Sequence, residues 1–395
     1  MNAKSGASYR RYDLDWLRVF AILSVFIYHS TRFFDPGDWH VKSPLLYFDA
    51  KVFQVFLEAW MMPVIFLISG ASIFYAMRKG GGAGKFFKDK FLRLGVPLLV
   101  AVFTHASWQV YLERISHHQF QGSYFQWLPQ YFDGVYIDPG VGGNFAFAGM
   151  HLWYLFFLLI FCILLYPLFA WFKGRGQAAL TRFGNFLAIP GVAYLLFLPT
   201  AIFFILIEET PPGEIDPGGW PMPVYMIFFV MGFVIVSNER LQSQLLRMRW
   251  VSLVGGVLML AGYLALMINP ATFQLWDDMN GPMSCIIVWF ALFTILGFGM
   301  KYLNFSTPFL SYANEAVLPF YILHQTVLLT IGYLVFQWAL PAGLTWAIIA
   351  TTSFVIIMVL YEYLIRRHNT LRFLFGMKSL PKQAVAEVGK VVPAQ

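Results

Sequence analysis

The sequence predicts an all-α fold: a polytopic membrane helix bundle of about ten transmembrane helices, with both termini cytoplasmic. Three observations carry the prediction. Of 395 residues, 59% are hydrophobic, only 12% are charged, and long apolar runs recur along the whole chain. A soluble domain carries about 25% charged residues, so half that fraction cannot clothe a water-facing surface. Disorder is excluded too, because it needs low hydrophobicity and high charge.

A hydrocarbon core about 30 Å thick needs about 20 residues of helix. Ten segments fit, at residues 14–34, 53–77, 91–111, 152–172, 186–207, 220–236, 250–268, 283–300, 316–336 and 346–365. The charges between them justify each in turn. With the N-terminus inside, the cytoplasmic segments hold Lys4, Arg10, Arg11 and Arg18 before or at the start of the first span. Arg78, Lys79, Lys85, Lys88, Lys90 and Arg93 follow the second, and Lys173, Arg175 and Arg182 the fourth. Arg240, Arg247 and Arg249 follow the sixth, Lys301 the eighth, and Arg366, Arg367, Arg372, Lys378, Lys382 and Lys390 the tenth. These are 23 of the 27 basic residues; only Arg32, Lys42, Lys51 and Arg114 fall outside. Such alternation fixes both orientation and an even helix count.

The outer segments are acidic and aromatic, with Asp35, Asp38 and Asp49 after the first span, Glu208, Glu209, Glu214 and Asp216 after the fifth, and Asp277 and Asp278 after the seventh. The longest, residues 112–151, holds Tyr124, Trp127, Tyr131, Phe132 and Tyr136 and is expected to cover an outward cavity. Residues 1–377 read as a single transmembrane domain and residues 378–395 as a short polar cytoplasmic tail. Basic residues spread over separate short loops form no stripe for nucleic acid. Cys162 and Cys285 sit in apolar runs and read as small buried hydrophobes. The first span lacks a small-residue cleavage site after Tyr28, so it is retained as a true span.

Chemistry concentrates in that first span. Arg18 and His29 are separated by ten uncharged residues, so one or both lie at hydrocarbon depth, where ionisable side chains are costly and functional candidates. Eleven residues make three turns plus about 20°, which puts both on one face, about 16 Å apart along the axis. Arg18 also fits a snorkelling anchor, and His29 a structural hydrogen bond. An imidazole in a membrane cavity is equally a candidate general base. His324 is a second intramembrane histidine, and His151 opens the fourth span. His117 and His118 are adjacent and lack metal-ligand spacing, so no metal is expected. A transporter is the rival class, but the Arg18–His29 pattern is not repeated in the second half. No Gly-x-Ser-x-Gly or His-Glu-x-x-His occurs.

Five segments carry a family resemblance. Arg18, ten residues and His29 match an Arg/Lys-x10-His signature; Phe66-Leu67-Ile68-Ser69-Gly70 matches a second-helix motif; Lys90-Phe91-Leu92-Arg93-Leu94 with Pro97 matches a basic Arg-x-x-Arg-Leu motif. His151-Leu152-Trp153-Tyr154-Leu155 and Ser311-Tyr312 with Phe320-Tyr321-Ile322-Leu323-His324 complete the set. The chain resembles the acyltransferase-3 family of integral membrane acyltransferases over nearly its whole length. It departs at Lys90, which replaces an arginine and loses two-pronged phosphate geometry, and at Phe156 and Phe157, where many members carry an acid. The closing Phe-Tyr-Ile-Leu-His-Gln wording is similar to the branch linked to glucan succinylation.

The resemblance implies transfer of an acyl group from cytoplasmic acyl-CoA, acetyl-CoA or succinyl-CoA, to a hydroxyl of an extracytoplasmic carbohydrate acceptor. It implies a protein among the lipids of a bacterial inner membrane, with no nucleic acid partner and no metal. His29 would be general base or acyl relay, with Arg18 beside the donor's charged end. Lys85, Lys88, Lys90 and Arg93 lie on the cytoplasmic side, where the phosphates of coenzyme A need cations. The Gly80–Gly84 run before them reads as a flexible turn. His151, Trp153, Tyr154, Tyr321 and His324 are expected near the substrate. Glu58 and Glu315 are carboxylates that would raise the basicity of His29 if the fold brought either close.

Overall fold

A computed structural model describes residues 10–77, 82–139, 141–207 and 217–380. Lys4, Arg78, Lys79, Gly80, Gly81, Glu208, Glu209, Glu214, Asp216, Lys382 and Lys390 lie outside the described residues, as do the side chains of Asp277 and Asp278. Helix α1 (Tyr12–Thr31) begins with Asp13 and Asp15, acids that suit the positive end of the helix dipole. Helices α2 (Phe48–Glu58) and α3 (Met61–Ala76) follow as one apolar stretch. Helices α4 (Gly82–Lys90), α5 (Val96–Ala101) and α6 (Ser107–Ser116) form one long rod interrupted by π turns at Phe91–Gly95 and Val102–Ala106.

The first π turn has a local cause. Pro97 has no N–H to give the carbonyl of Arg93, so the helical ladder opens one turn earlier. The last described helical segment closes onto that freed carbonyl. Gly376 approaches it so tightly, at φ +69°, that a Cβ there would stand 2.4 Å from the oxygen.

The long loop after α6 carries α7 (Tyr124–Trp127), capped by Ser123 and Gln126, and a hairpin of β1 (Tyr136–Asp138) with β2 (Val141–Gly142), Tyr136 lying opposite Gly142. Helices α8 (Trp153–Leu164) and α9 (Tyr166–Lys173) meet at 51°, with Pro167 at the start of the second. Helix α10 (Gln177–Leu187) meets the segment containing α11 (Phe197–Ile207) at 112°. Then come α12 (Met222–Ser237), α13 (Glu239–Ile268), α14 (Phe273–Tyr302), α15 (Pro308–Val335), α16 (Ala342–Val359) and α17 (Asn369–Leu374). Asn238 caps α13 by accepting from the Leu241 amide, and Thr307 caps α15 by accepting from that of Leu310.

Among the described residues, six helices are long and apolar enough to cross a membrane, and the two bent pairs raise this to eight if each is one span. Helix α12, with 16 residues, and α1, with Asp13, Asp15 and Arg18, stand outside that set. All ten segments nominated by the sequence are wholly or largely helical. The chain is a multi-pass α-helical membrane protein.

Two packing relations position the site. Helices α3 and α12 touch backbone to backbone. A Cβ at Gly70 would lie 1.7 Å from the Phe229 carbonyl oxygen, and one at Gly232 would lie 1.8 Å from that of Leu67. Small residues permit such close crossings, where lipid provides no hydrophobic drive between helices. Helices α1 and α15 run in parallel, as the order of their contacts shows: Arg18 meets Asn314, Phe26 meets Phe320, and His29 meets His324. The described basic segments gather at the end where α1 begins, with Arg11 on Gln242, Lys173 over the Phe74 ring, and Gly376 against Arg93.

Candidate active site

Helix α1 delivers Arg18 and His29 on one face, as their eleven-residue spacing requires, and α15 lines that face along its length. Arg18 gives one guanidinium N–H to Ser72 Oγ at 2.8 Å and another to Asp15 and Asn314, at 3.4 and 3.3 Å. Ser72 spends its own proton on the Ile68 carbonyl, so it accepts from Arg18. One turn earlier on α3, Ser69 donates to the Ile65 carbonyl and accepts from the Tyr154 hydroxyl at 2.6 Å. The Tyr154 ring stands edge-on to Tyr321, 5.7 Å away, and Tyr321 donates to the His151 carbonyl. A polar lane therefore runs from Arg18 along α3 to the histidines, through a wall otherwise built of apolar side chains.

Three imidazoles close the lane. His324 is buried at 1% exposure, its ring centroid 5.0 Å from His29 and 4.9 Å from His151. Carbonyl oxygens only accept, and this assigns the protons. Nδ1 of His29 donates to the Val25 carbonyl at 2.9 Å, and Nδ1 of His324 donates to that of Tyr321. Nε2 of His151 donates to the Ile322 carbonyl at 3.1 Å, while its Nδ1 accepts from the Gln109 amide at 3.2 Å. With each ring neutral, Nε2 of His29 carries a free lone pair. His29 is also the only one of the three that is partly accessible.

The backbone before His151 is held unusually. Gly149 and Met150 both have positive φ, +80° and +56°, and Met150 is one of three described non-glycine residues in that region. Such strain costs about 1–3 kcal/mol and persists where surrounding contacts overdetermine it. Here it turns the His151 carbonyl onto Tyr321 and its ring onto His324.

Toward the start of α1, a cleft of about 280 Å³ is lined by Lys85, Lys90 and Arg93 with Phe86, Asp89 and Tyr166. Lys88 is exposed and is not part of the lining. Ala76, one turn beyond Ser72 on α3, also lines the cleft, so the cleft adjoins the Arg18 end of the polar lane. At the opposite end, Trp39 covers His29, its ring 6.2 Å away and 28° from parallel. The loop bearing it is pinned by His40 and Tyr136 on Glu113, whose other oxygen takes Arg114 at 3.0 Å.

Other sequence candidates fall elsewhere. Trp153 packs among Phe66, Phe157 and Tyr225, away from the histidines. Trp127 and Tyr131 are buried, so they brace the long loop after α6 and offer no exposed ring. Glu58 accepts from the Tyr28 hydroxyl at 2.7 Å, and Glu315 holds Arg372 at 2.7 Å; neither carboxylate reaches His29. The sequence reading missed Ser72, Asn314, Gln109 and Trp39. Ser72 is one turn beyond the Ser69 motif, and Gln109 is a polar interruption in an apolar span; both were detectable signals. Trp39 gave none. Among the described residues, no group of three or more His, Cys, Asp or Glu could hold a metal ion.

A family model described as an acyltransferase domain matches residues 11–363, taking in the lane, the histidines and the basic cleft. The chain belongs to the acyltransferase-3 family. This acyltransferase is also similar to proteins named glucans biosynthesis protein C from Salmonella paratyphi B, Salmonella dublin and Salmonella enteritidis. Each is 21% identical over 342 residues, covering 82% of this chain and 83% of the relative. No solved structure matches the acyltransferase.

Proposed function

We propose that this acyltransferase moves an acetyl or succinyl group from cytoplasmic acyl-CoA to a hydroxyl of an extracytoplasmic glycan, in the inner membrane of a bacterium. The observation that carries the reading is the free Nε2 lone pair of His29 at the end of a polar lane leading from a basic cleft. Phosphates of the donor fit Lys85, Lys90 and Arg93, and Arg18 stands between them and the bundle interior. The amides of the pantetheine arm suit the hydroxyls of Ser72, Ser69 and Tyr154, which mark a polar path from Arg18 toward His29. Resemblance to glucans biosynthesis protein C favours a glucan as acceptor.

In the reaction, the acceptor hydroxyl gives its proton to Nε2 of His29 while its oxygen attacks the thioester carbonyl. The carbon–sulfur bond breaks, and the departing thiolate takes the proton back from His29. Ten crossings follow if α1, α12 and the two bent pairs each span once, with both ends cytoplasmic and residues 378–395 as a tail. The parallel run of α1 and α15, first and ninth in that count, supports this path.

The test is release of coenzyme A thiol by purified protein in nanodiscs, with acetyl-CoA or succinyl-CoA and glucose oligosaccharides. Acceptor-dependent thiol release and an acylated sugar are expected, and both should fall by about 100-fold or more with His29→Ala. Intact-protein mass after donor alone separates direct transfer, which leaves the mass unchanged, from an acyl-histidine relay.

A further inference from the structure

Resting on the reading of His29 as base, we propose that His324 is its positioning partner. The Nε2 lone pair of His324 holds the Nδ1–H of His29 and shares the positive charge that forms when His29 accepts a proton. Catalytic histidines commonly rely on a carboxylate for this; here a second neutral imidazole takes its place.

The proton assignment leaves little freedom. His324 commits Nδ1 to the Tyr321 carbonyl within its own helix, so Nε2 has a lone pair, and that atom lies 3.2 Å from Nδ1 of His29. The Nδ1–H of His29 is shared between this lone pair and the Val25 carbonyl. His151 buttresses the pair: its ring stands edge-on to His324 at 87°, fixed by Gln109, which accepts from Gln325 and donates to Thr326. The candidate carboxylates are spent on Tyr28 and on Arg372. A buried carboxylate at membrane depth would also carry a standing desolvation cost, whereas a neutral imidazole is charged only while the proton is held.

The role predicts a particular pattern across variants of the full-length protein, assayed in nanodiscs with acetyl-CoA and glucose oligosaccharides. His324→Leu removes the acceptor atom and should lower kcat about 100-fold with donor KM within about twofold. His324→Gln, whose amide reaches the Nε2 position, should recover to within about tenfold of wild type, and His324→Asn, whose amide falls short, should not. A folded Leu variant keeping more than half of kcat, equal losses in Gln and Asn, or a loss confined to KM would each overturn the proposal. Should Leu fail to fold, the Gln–Asn contrast decides. His29→Ala run in parallel separates the two readings. Activity there sinks the base itself, whereas an inactive His29→Ala beside unaffected His324 variants sinks only the partnership.

Discussion

Arg18 and His29 show how much one helix accomplishes with two residues. The guanidinium is fixed by Ser72, Asp15 and Asn314, and the imidazole by Val25 and His324, so each side chain is held before any substrate arrives. Pre-positioning of this kind raises the rate by sparing reorganisation at the moment of reaction. Replacing Arg18 with Lys keeps a charge but loses the fork that spans Ser72 and Asn314. Donor KM should rise about tenfold with the fold intact, as initial rates across a donor titration will show. His29→Ala removes the base and should lower kcat by about 10²–10⁴-fold, read as thiol release, while membrane yield and melting temperature stay near wild type. The eleven-residue spacing, and so the shared face, was readable from the sequence. That an imidazole rather than Glu58 or Glu315 would face His29 was not, because it depends on which helix packs against α1.

At the scale of elements, the crossing of α3 and α12 bears most directly on the site, since Ser69 and Ser72 ride on α3. Gly70 and Gly232 let the two backbones touch, and a methyl group at Gly232 would press into the Leu67 carbonyl. Gly232→Ala should therefore separate the helices and cost about 3 kcal/mol, seen as a lowered melting temperature in detergent, with activity falling as the lane shifts. The Ser69-Gly70 pair was visible as a motif, but Gly232, its counterpart 162 positions later, was one glycine among 32. The π turn at Phe91–Gly95 was equally hidden. Pro97 announced an irregularity, yet only Gly376 at the far end of the chain shows that the freed carbonyl is covered.

For the whole molecule, the charge distribution makes an orientation that is directly testable. Phe125 is highly exposed on α7 in the outer loop, and Arg182 is exposed on α10 near the basic end. Both native cysteines are buried and lie outside any disulfide, so they provide a quiet background for labelling. Phe125→Cys should react with a membrane-impermeant maleimide on intact cells, and Arg182→Cys only after permeabilisation. The reverse pattern would invert the bundle and put the basic cleft on the wrong side for a cytoplasmic donor. Composition, the apolar helical segments, the clustering of basic segments and the Arg18–His29 face were all determined by the sequence alone, because they depend on local periodicity and on the exclusion of charge from lipid. The tertiary structure decided the rest: the lane through Ser72, Ser69 and Tyr154, the burial of Trp127 and Tyr131, and the meeting of His29 with a ring 295 residues away. Helix periodicity is set within a few residues, whereas the partner across an interface is set by the crossing of whole helices, which no single segment encodes.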